Sequence, residues 1–217
     1  MGAEQTDNYI KLCHIWREKF LTWDHEKAMK NVGLADGVHE EYLELDYFGV
    51  PFRIDRKTGV ISDTTNPGKE QSFNTQMCIY HLLYYAVDGP ELSGEWVPFR
   101  DVPTTGVFDG AYQNTILKPF AEVFSGKADA LKKAGEKLNF LPLSYGDVSF
   151  QADAFRCLPM RIIFWDGDDE YPAQANMLFD ANITQFLHPE TVVCLAGQFA
   201  SRLIEAARLE VKPGTIA

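Results

Sequence analysis

Hydrophobic and polar positions follow two different periods in the first part of this chain. Near the N-terminus, apolar residues recur every three or four positions, which predicts an amphipathic helix. Its apolar stripe contains Tyr9, Leu12, Cys13, Trp16, Phe20 and Trp23. Asp24 is expected to cap a second, shorter helix that ends at Gly33. A period of two then runs through residues 42–48, 50–55 and 60–61, and this alternation predicts an antiparallel meander.

The middle of the chain is more helical and less regular. Residues 73–86 carry apolar side chains on every side, a pattern typical of a buried helix. Residues 88–106 contain several Gly and Pro residues and predict a structured loop. Helical spacing then predicts a helix with a kink at Pro119, because proline cannot donate a helical hydrogen bond. A short helix is predicted to follow it, with apolar positions at Ala128, Leu131, Ala134 and Leu138.

The last third of the chain shows the most regular pattern. Alternation predicts strands over residues 148–154 and 174–180. Residues 160–165 are apolar on both faces except at Arg161, which predicts a central strand. His188 and Pro189 are expected to open a long helix, since proline suits the first helical position. Residues 211–217 are expected to form a frayed tail.

These elements predict an α+β fold in one domain, with a mainly antiparallel sheet of about five to seven strands packed against helices. The expected order along residues 1–217 has four parts: N-terminal helices and meander (1–65), buried helix and loop (66–108), helices (109–140), and three strands with the C-terminal helix (141–210).

Composition and charge narrow the classes of function. The chain has 217 residues, with 31 Asp and Glu against 20 Lys and Arg, and a formal net charge of −11. This charge argues against nucleic-acid binding and against docking on anionic lipid. No apolar run is long enough to span a bilayer, and no secretory signal is evident. Four widely separated cysteines fit reduced thiols, so we expect a cytoplasmic protein. They are Cys13, Cys78, Cys157 and Cys194.

One candidate ligand site consists of aromatic and basic residues around the predicted loop. Its members are His81, Tyr84, Trp96, Phe99, Arg100 and Arg161. The aromatic rings suit the floor of a pocket for a planar ligand, and each arginine suits an anionic group. A corrinoid or another tetrapyrrole-type cofactor is one ligand of this kind. The alternative is that the rings pack in the core and the arginines pair with nearby carboxylates.

Two residues of the predicted buried helix suggest another arrangement. Cys78 and His81 lie three positions apart and share one helix face, where they suit a zinc ion or contact with a cofactor. A core cysteine and a hydrogen-bonded histidine are the alternative.

A second candidate site is an acidic segment between two predicted strands. Its carboxylates come from Asp166, Asp168, Asp169 and Glu170, with Asp180 on the next strand. A divalent cation such as calcium or magnesium takes clustered oxygen ligands of this type. The alternative is a solvated hairpin turn, because Asp and Gly are common turn residues.

Several motifs in order along the chain resemble an uncharacterised prokaryotic family, the domain of unknown function family 3786. The motifs are Tyr80-His81-Leu82-Leu83, Gly94-Glu95-Trp96-Val97-Pro98-Phe99-Arg100, Gly146-Asp147-Val148-Ser149-Phe150, Trp165-Asp166-Gly167-Asp168-Asp169-Glu170-Tyr171-Pro172-Ala173 and Leu178-Phe179-Asp180. The resemblance covers roughly residues 75–205. It implies a soluble prokaryotic protein of anaerobic bacteria or archaea, associated in some members with corrinoid or iron–sulfur proteins. It implies no catalytic residue.

Three functions remain open on this basis. The first is an accessory protein of anaerobic metabolism that binds a small ligand or cofactor. The second is a divalent-cation-dependent enzyme that uses the acidic turn at residues 166–170. The third is an acidic adaptor for a basic protein partner. Residues 70–99 and 162–201 contain no Lys or Arg, so we expect a site between these stretches if they meet in space.

Overall fold

Helices and strands are interspersed along the chain. The computed structural model describes residues 3–211 and 216, with side chains described from residue 8 onward. The helices are α1 (Ala3–Phe20), α2 (His25–Asn31), α3 (Phe73–Tyr85), α4 (Asp109–Tyr112), α5 (Lys118–Phe124), α6 (Ala128–Lys137) and α7 (Pro189–Ala207). The strands are β1 (Tyr42–Tyr47), β2 (Val50–Asp55), β3 (Ile61–Asp63), β4 (Trp96–Pro98), β5 (Leu141–Pro142), β6 (Val148–Phe155), β7 (Leu158–Trp165) and β8 (Gln174–Asp180). The α+β single-domain class predicted from the sequence is confirmed.

The predicted meander forms the first sheet. Strands β1, β2 and β3 pair in that order, all antiparallel. Phe48 and Gly49 connect β1 to β2 with positive φ angles of 51° and 73°, the conformation of a tight hairpin turn. One face of the sheet buries Leu43, Leu45, Phe52 and Ile54 in the core, as the alternation predicts.

The other described strands form a second antiparallel sheet, in the order β4-β8-β7-β6-β5. Strand β7 is central, as its apolar pattern predicts. Its even-numbered residues Met160, Ile162 and Phe164 are buried on the face covered by helices. Strand β4 lies inside the segment that the sequence predicts as a loop, and it forms because it pairs with β8.

Helix α7 packs against both α3 and α6 at the centre of the fold. Its first turn begins as predicted, because the His188 side chain accepts a hydrogen bond from the Glu190 N–H. Helix α3 is capped by Ser72. The prediction that α3 is buried on all sides is wrong at its C-terminal end. There Tyr84 and Tyr85 are 47% and 37% exposed, because the fold leaves that end of α3 at the surface.

The helix predicted around Pro119 is interrupted rather than simply kinked. A π turn at Gln113–Leu117 joins α4 to α5. Pro119 has no N–H to donate to the Thr115 carbonyl, and the Ile216 N–H donates to that oxygen at 2.9 Å. Ile216 is buried, so the prediction of a frayed tail is wrong at this residue. Residues 212–215 and 217 lie outside the described part of the chain.

Among the described residues, no helix has the length and apolar character needed to cross a bilayer.

Candidate functional site

A cleft of about 540 Å³ opens between β2, the start of α3 and the second half of α7. We call it the Arg202 cleft, after the charged residue in its wall. Its other lining residues are Tyr9, Val50, Phe52, Asp63, Lys69, Glu70, Gln71, Ser72, Phe73, Asn74, Thr75, Gln198, Ser201, Glu205 and Ile216. The cleft therefore lies where α3 and α7 meet, between the two stretches that the sequence shows to be free of Lys and Arg.

One wall of the Arg202 cleft is apolar and aromatic. The rings of Tyr9 and Phe73 stack with centroids 4.5 Å apart and an interplanar angle of 23°. Phe52 from β2 is almost fully buried, and Val50 and Ile216 extend the same apolar surface. Small-molecule sites commonly combine such apolar walls with a few polar groups.

Uncharged polar residues form the corner where α3 meets α7. The Ser72 hydroxyl accepts a hydrogen bond from the Thr75 N–H at 3.2 Å, which caps α3. The Thr75 hydroxyl in turn donates to Gln198 Oε1 at 3.2 Å. Ser201 follows Gln198 by three residues, so it lies on the same side of α7. The corner is thus held in place by the α3 cap and by one hydrogen bond that crosses to α7.

The charged residues of the cleft differ in their surroundings. Lys69, Glu70 and Glu205 are exposed to solvent at the mouth. Asp63 is half-buried, but its Oδ1 accepts hydrogen bonds from Thr65 N, Thr65 Oγ1 and Asn66 N at 2.7, 2.6 and 3.2 Å. Through these bonds, Asp63 Oδ1 stabilises the turn that Asp63 forms with Thr65 and Asn66.

Arg202 is the cation in the interior of the cleft. Its guanidinium carbon lies 5.0 Å from the ring centroids of both Tyr47 and Phe48. Its Nε is buried and has no hydrogen-bond partner among the described residues, and none of their carboxylates forms an ion pair with it. Burial lowers the pKa of the guanidinium, while Tyr47 and Glu205 partly oppose that shift. Arg202 is therefore a half-buried cation that contacts aromatic rings and forms no ion pair among the described residues.

The six candidate ligand residues predicted from the sequence do not line this cleft. His81 and Tyr84 lie at the opposite end of α3, against α1, where both rings contact Trp16. His81 Nδ1 is 2.6 Å from the Thr191 hydroxyl, which connects α3 to α7. His81 Nε2 is buried without a partner among the described residues. Burial, followed by the charges of His188 and Lys19, lowers the pKa of His81 to about 4.

The lowered pKa of His81 predicts a loss of stability in acid. An unfolded chain protonates this imidazole near its ordinary pKa of 6.5, whereas the folded protein resists protonation down to about pH 4. Stability from this group is therefore complete above about pH 6.5 and is lost as the pH falls toward 4. Because His81 is partly exposed, solvent screens its charge, and we expect the free energy of unfolding to fall by only about 1–2 kcal/mol.

Denaturant unfolding of the full chain at pH 7 and pH 4.5 measures this loss, with His81→Asn as the control. The wild type should lose more stability than the variant between these pH values. Equal losses in the two proteins would contradict the assignment to His81.

The other candidate ligand residues are separated by the second sheet. Arg161 lies over the Trp96 ring at 3.8 Å and donates from Nε to Gln151 Oε1 at 3.0 Å, on the sheet face away from the helices. Phe99 is in the core, stacked on Tyr112 with centroids 4.4 Å apart. Arg100 is exposed beside Asp101. Thus the predicted aromatic loop supplies a surface pair, a core ring and a solvated arginine rather than one pocket.

The predicted acidic site forms a hairpin turn between β7 and β8. Asp166 Oδ1 accepts hydrogen bonds from Gly126 N and Gly167 N at 2.7 and 2.8 Å. Asp168 Oδ1 accepts from Tyr171 N and Glu170 N, both at 2.8 Å, and these bonds lower the pKa of Asp168. The carboxylates of Asp166 and Asp168 thus stabilise the turn, so cation binding at the hairpin remains a prediction.

Asp180 is the buried carboxylate of the predicted acidic set. Its Oδ1 accepts from Ser93 N, Ser93 Oγ and Asn182 N, each at 2.9 Å, and its Oδ2 accepts from Gly94 N at 2.7 Å. Asp180 therefore fastens the segment before β4 to the end of β8. No cluster of three or more His, Cys, Asp or Glu that could hold a metal occurs among the described residues.

Cys78, the predicted neighbour of His81, is fully buried. Burial also raises the pKa of its thiol well above the ordinary value, which keeps it protonated. The surroundings of Cys78 are those of a core cysteine, and it belongs to no group of three or more possible metal ligands among the described residues.

Comparison with protein families gives a wider setting for these residues. Residues 24–202 match the family described as Domain of unknown function (DUF3786), which is most of the chain. The chain belongs to this family. The DUF3786 match confirms the resemblance seen over roughly residues 75–205 and extends it back through the first sheet and α2. Arg202 is the last residue of the matched segment. No curated protein and no solved structure matches the chain.

Sequence analysis missed Arg202, although the chain carries a signal for it. Leu195 and Phe199 belong to the apolar stripe of α7, and Arg202 follows them at the helical spacings of seven and three. A cation at a stripe position of an apolar helix indicates a buried charge that needs a partner. Arg202 is nevertheless not part of a sequence motif, because its neighbours in the cleft come from distant parts of the chain.

Proposed function

We propose that this DUF3786 protein binds a small organic ligand in the Arg202 cleft. The observation that carries the proposal is a cleft of about 540 Å³ that combines a stacked aromatic wall with a half-buried arginine lacking an ion-pair partner among the described residues. This volume falls within the range of about 300–1,000 Å³ typical of small-molecule sites. A role as an accessory protein of anaerobic metabolism is consistent with the family resemblance, and it forms part of the proposal.

The alternative functions have less support from the geometry. Asp180 accepts hydrogen bonds from the chain through both carboxylate oxygens, and Asp166 and Asp168 each through one, so a cation at Asp180 would have to displace bonds of the fold. The adaptor function stays a prediction from the acidic composition. A corrinoid or tetrapyrrole ligand also stays a prediction, since His81 and Trp96, two of the residues proposed to contact it, lie apart.

Titration with a neutral aromatic dye tests the proposed function. N-phenyl-1-naphthylamine fluoresces more strongly in apolar surroundings, and we expect saturable binding of one dye per chain. Ser201→Phe should weaken that binding by about tenfold or more, because the new ring would fill the cleft next to Arg202.

Ser144→Phe is the matched control, since Ser144 is exposed in the loop between β5 and β6. This variant should bind the dye as the wild type does. Absence of saturable binding to the wild type would contradict the proposed function. Equal binding by the two variants would show that the dye occupies another site.

A further inference from the structure

Arg202 is half-buried and lacks the partner that a guanidinium in such surroundings normally has. A guanidinium carries five N–H donors, and burying a charge is costly unless it is paired and hydrogen-bonded. Tyr47 and Phe48 contact Arg202 through their rings, so they satisfy none of its N–H groups. The buried Nε has no acceptor among the described residues. The terminal N–H groups of Arg202, unlike Nε, are not closed off from the cleft, so they are available to a group inside it.

The carboxylates that line the cleft do not serve as this partner. Asp63 uses its Oδ1 for the N–H groups and hydroxyl of Thr65 and Asn66. Glu70 and Glu205 are exposed at the mouth, and neither forms an ion pair with Arg202. Within the described residues, the chain thus places a fixed positive charge in the cleft without placing a negative charge against it.

We infer that the Arg202 cleft selects organic oxyanions, with the anionic group bound by Arg202 and the apolar body against the ring pair of Tyr9 and Phe73. A carboxylate, sulfonate or phosphate matches the fork of N–H donors on a guanidinium. The stacked rings supply the apolar surface on which the rest of such a ligand packs. This inference rests on the proposed function, because it names the class of ligand for the same cleft.

Two dyes with the same aromatic body, one neutral and one carrying a sulfonate group, test the inference on the full chain. The anion 8-anilinonaphthalene-1-sulfonate has the same aromatic body as the neutral N-phenyl-1-naphthylamine. We expect the sulfonate to bind about 10- to 100-fold more tightly, the ratio that corresponds to a hydrogen bond to a charged group. Arg202→Met should remove this preference, so that the two dyes bind the variant with affinities within about threefold of each other.

Arg100→Gln is the matched control, because Arg100 is an exposed arginine outside the cleft and should not affect the preference. Arg202→Lys should keep part of the preference, since lysine retains the charge and loses the fork. A purely structural role of Arg202 would instead weaken both dyes equally in Arg202→Met. That result, or a preference that survives in Arg202→Met, would overturn the inference.

A competition experiment on the wild type keeps the inference testable even if Arg202→Met does not fold. Benzoate and benzamide have similar shapes and differ in charge, and each can be titrated against bound N-phenyl-1-naphthylamine. Benzoate should displace the dye at about tenfold lower concentration than benzamide. Equal displacement would overturn anion selection while leaving the proposed function intact. Failure of the neutral dye to bind would contradict the proposed function itself.

Discussion

Asp180→Ala should lower the free energy of unfolding by about 3–4 kcal/mol. Asp180 is 2% exposed and accepts four hydrogen bonds, from Ser93 N, Ser93 Oγ, Gly94 N and Asn182 N. Alanine would leave these part-buried donors without their charged acceptor, and a hydrogen bond to a charged group contributes more to stability than a neutral one. Urea unfolding at pH 7, followed by tryptophan fluorescence, measures the change.

Asp169→Ala is the matched control for Asp180→Ala. Asp169 is an exposed member of the same predicted acidic set, so its removal should change the unfolding free energy by less than about 0.5 kcal/mol. Similar losses in both variants would contradict the structural role of Asp180. A large rise in wild-type stability with millimolar calcium or magnesium, lost in both variants, would instead favour the cation site.

Gly135→Ala should destabilise the protein by about 3 kcal/mol, because it overpacks a closed interface between helix and sheet. Gly135 is a buried residue of α6, and a Cβ atom there would overlap the ring of Phe150 on β6. Phe150 is 1% exposed, so its ring cannot move away without disturbing the core. Thermal and urea unfolding of the purified variant measure the effect.

Gly110→Ala provides the comparison for Gly135→Ala. Gly110 is also helical, but a Cβ atom at this position meets nothing within 4 Å. Alanine should therefore stabilise the protein by up to about 1 kcal/mol through its higher helix propensity. If both substitutions changed stability in the same direction, the packing explanation for Gly135 would be wrong.

Local patterns in the sequence predicted most of the regular structure. Asp24 caps α2 through a hydrogen bond from Lys27 N, as its residue type predicts. The apolar character of β7 correctly placed it at the centre of a sheet. Such features depend on neighbouring residues and on burial, and both produce a periodic pattern of apolar positions in the sequence.

Strand β4 could not be predicted in the same way. It has three residues, including Pro98, and its partner β8 lies about eighty residues further along the chain. Its formation depends on that pairing and on Asp180, which holds the preceding residues Ser93 and Gly94. The local sequence of β4 carries only the signal of a loop rich in Gly and Pro.

The candidate ligand residues were hard to predict for a related reason. Trp96 and Phe99 are three positions apart, yet one lies against Arg161 on the open sheet face and the other is in the core. Nearness in the sequence does not decide on which side of a sheet a ring lies. The two stretches without Lys or Arg do meet where α3 packs on α7, so the charge distribution points to a different place, and a site there stays a prediction.

The Arg202 cleft takes its walls from both sides of the boundaries of the DUF3786 match. Arg202 and Thr75 belong to the matched residues 24–202, whereas Tyr9 precedes that segment and Ile216 follows it. The matched segment therefore contains the charged group and the polar corner but not the whole apolar surface. Replacing the segments that carry Tyr9 and Ile216 would therefore change the shape of the apolar part of the cleft and leave Arg202 where it is.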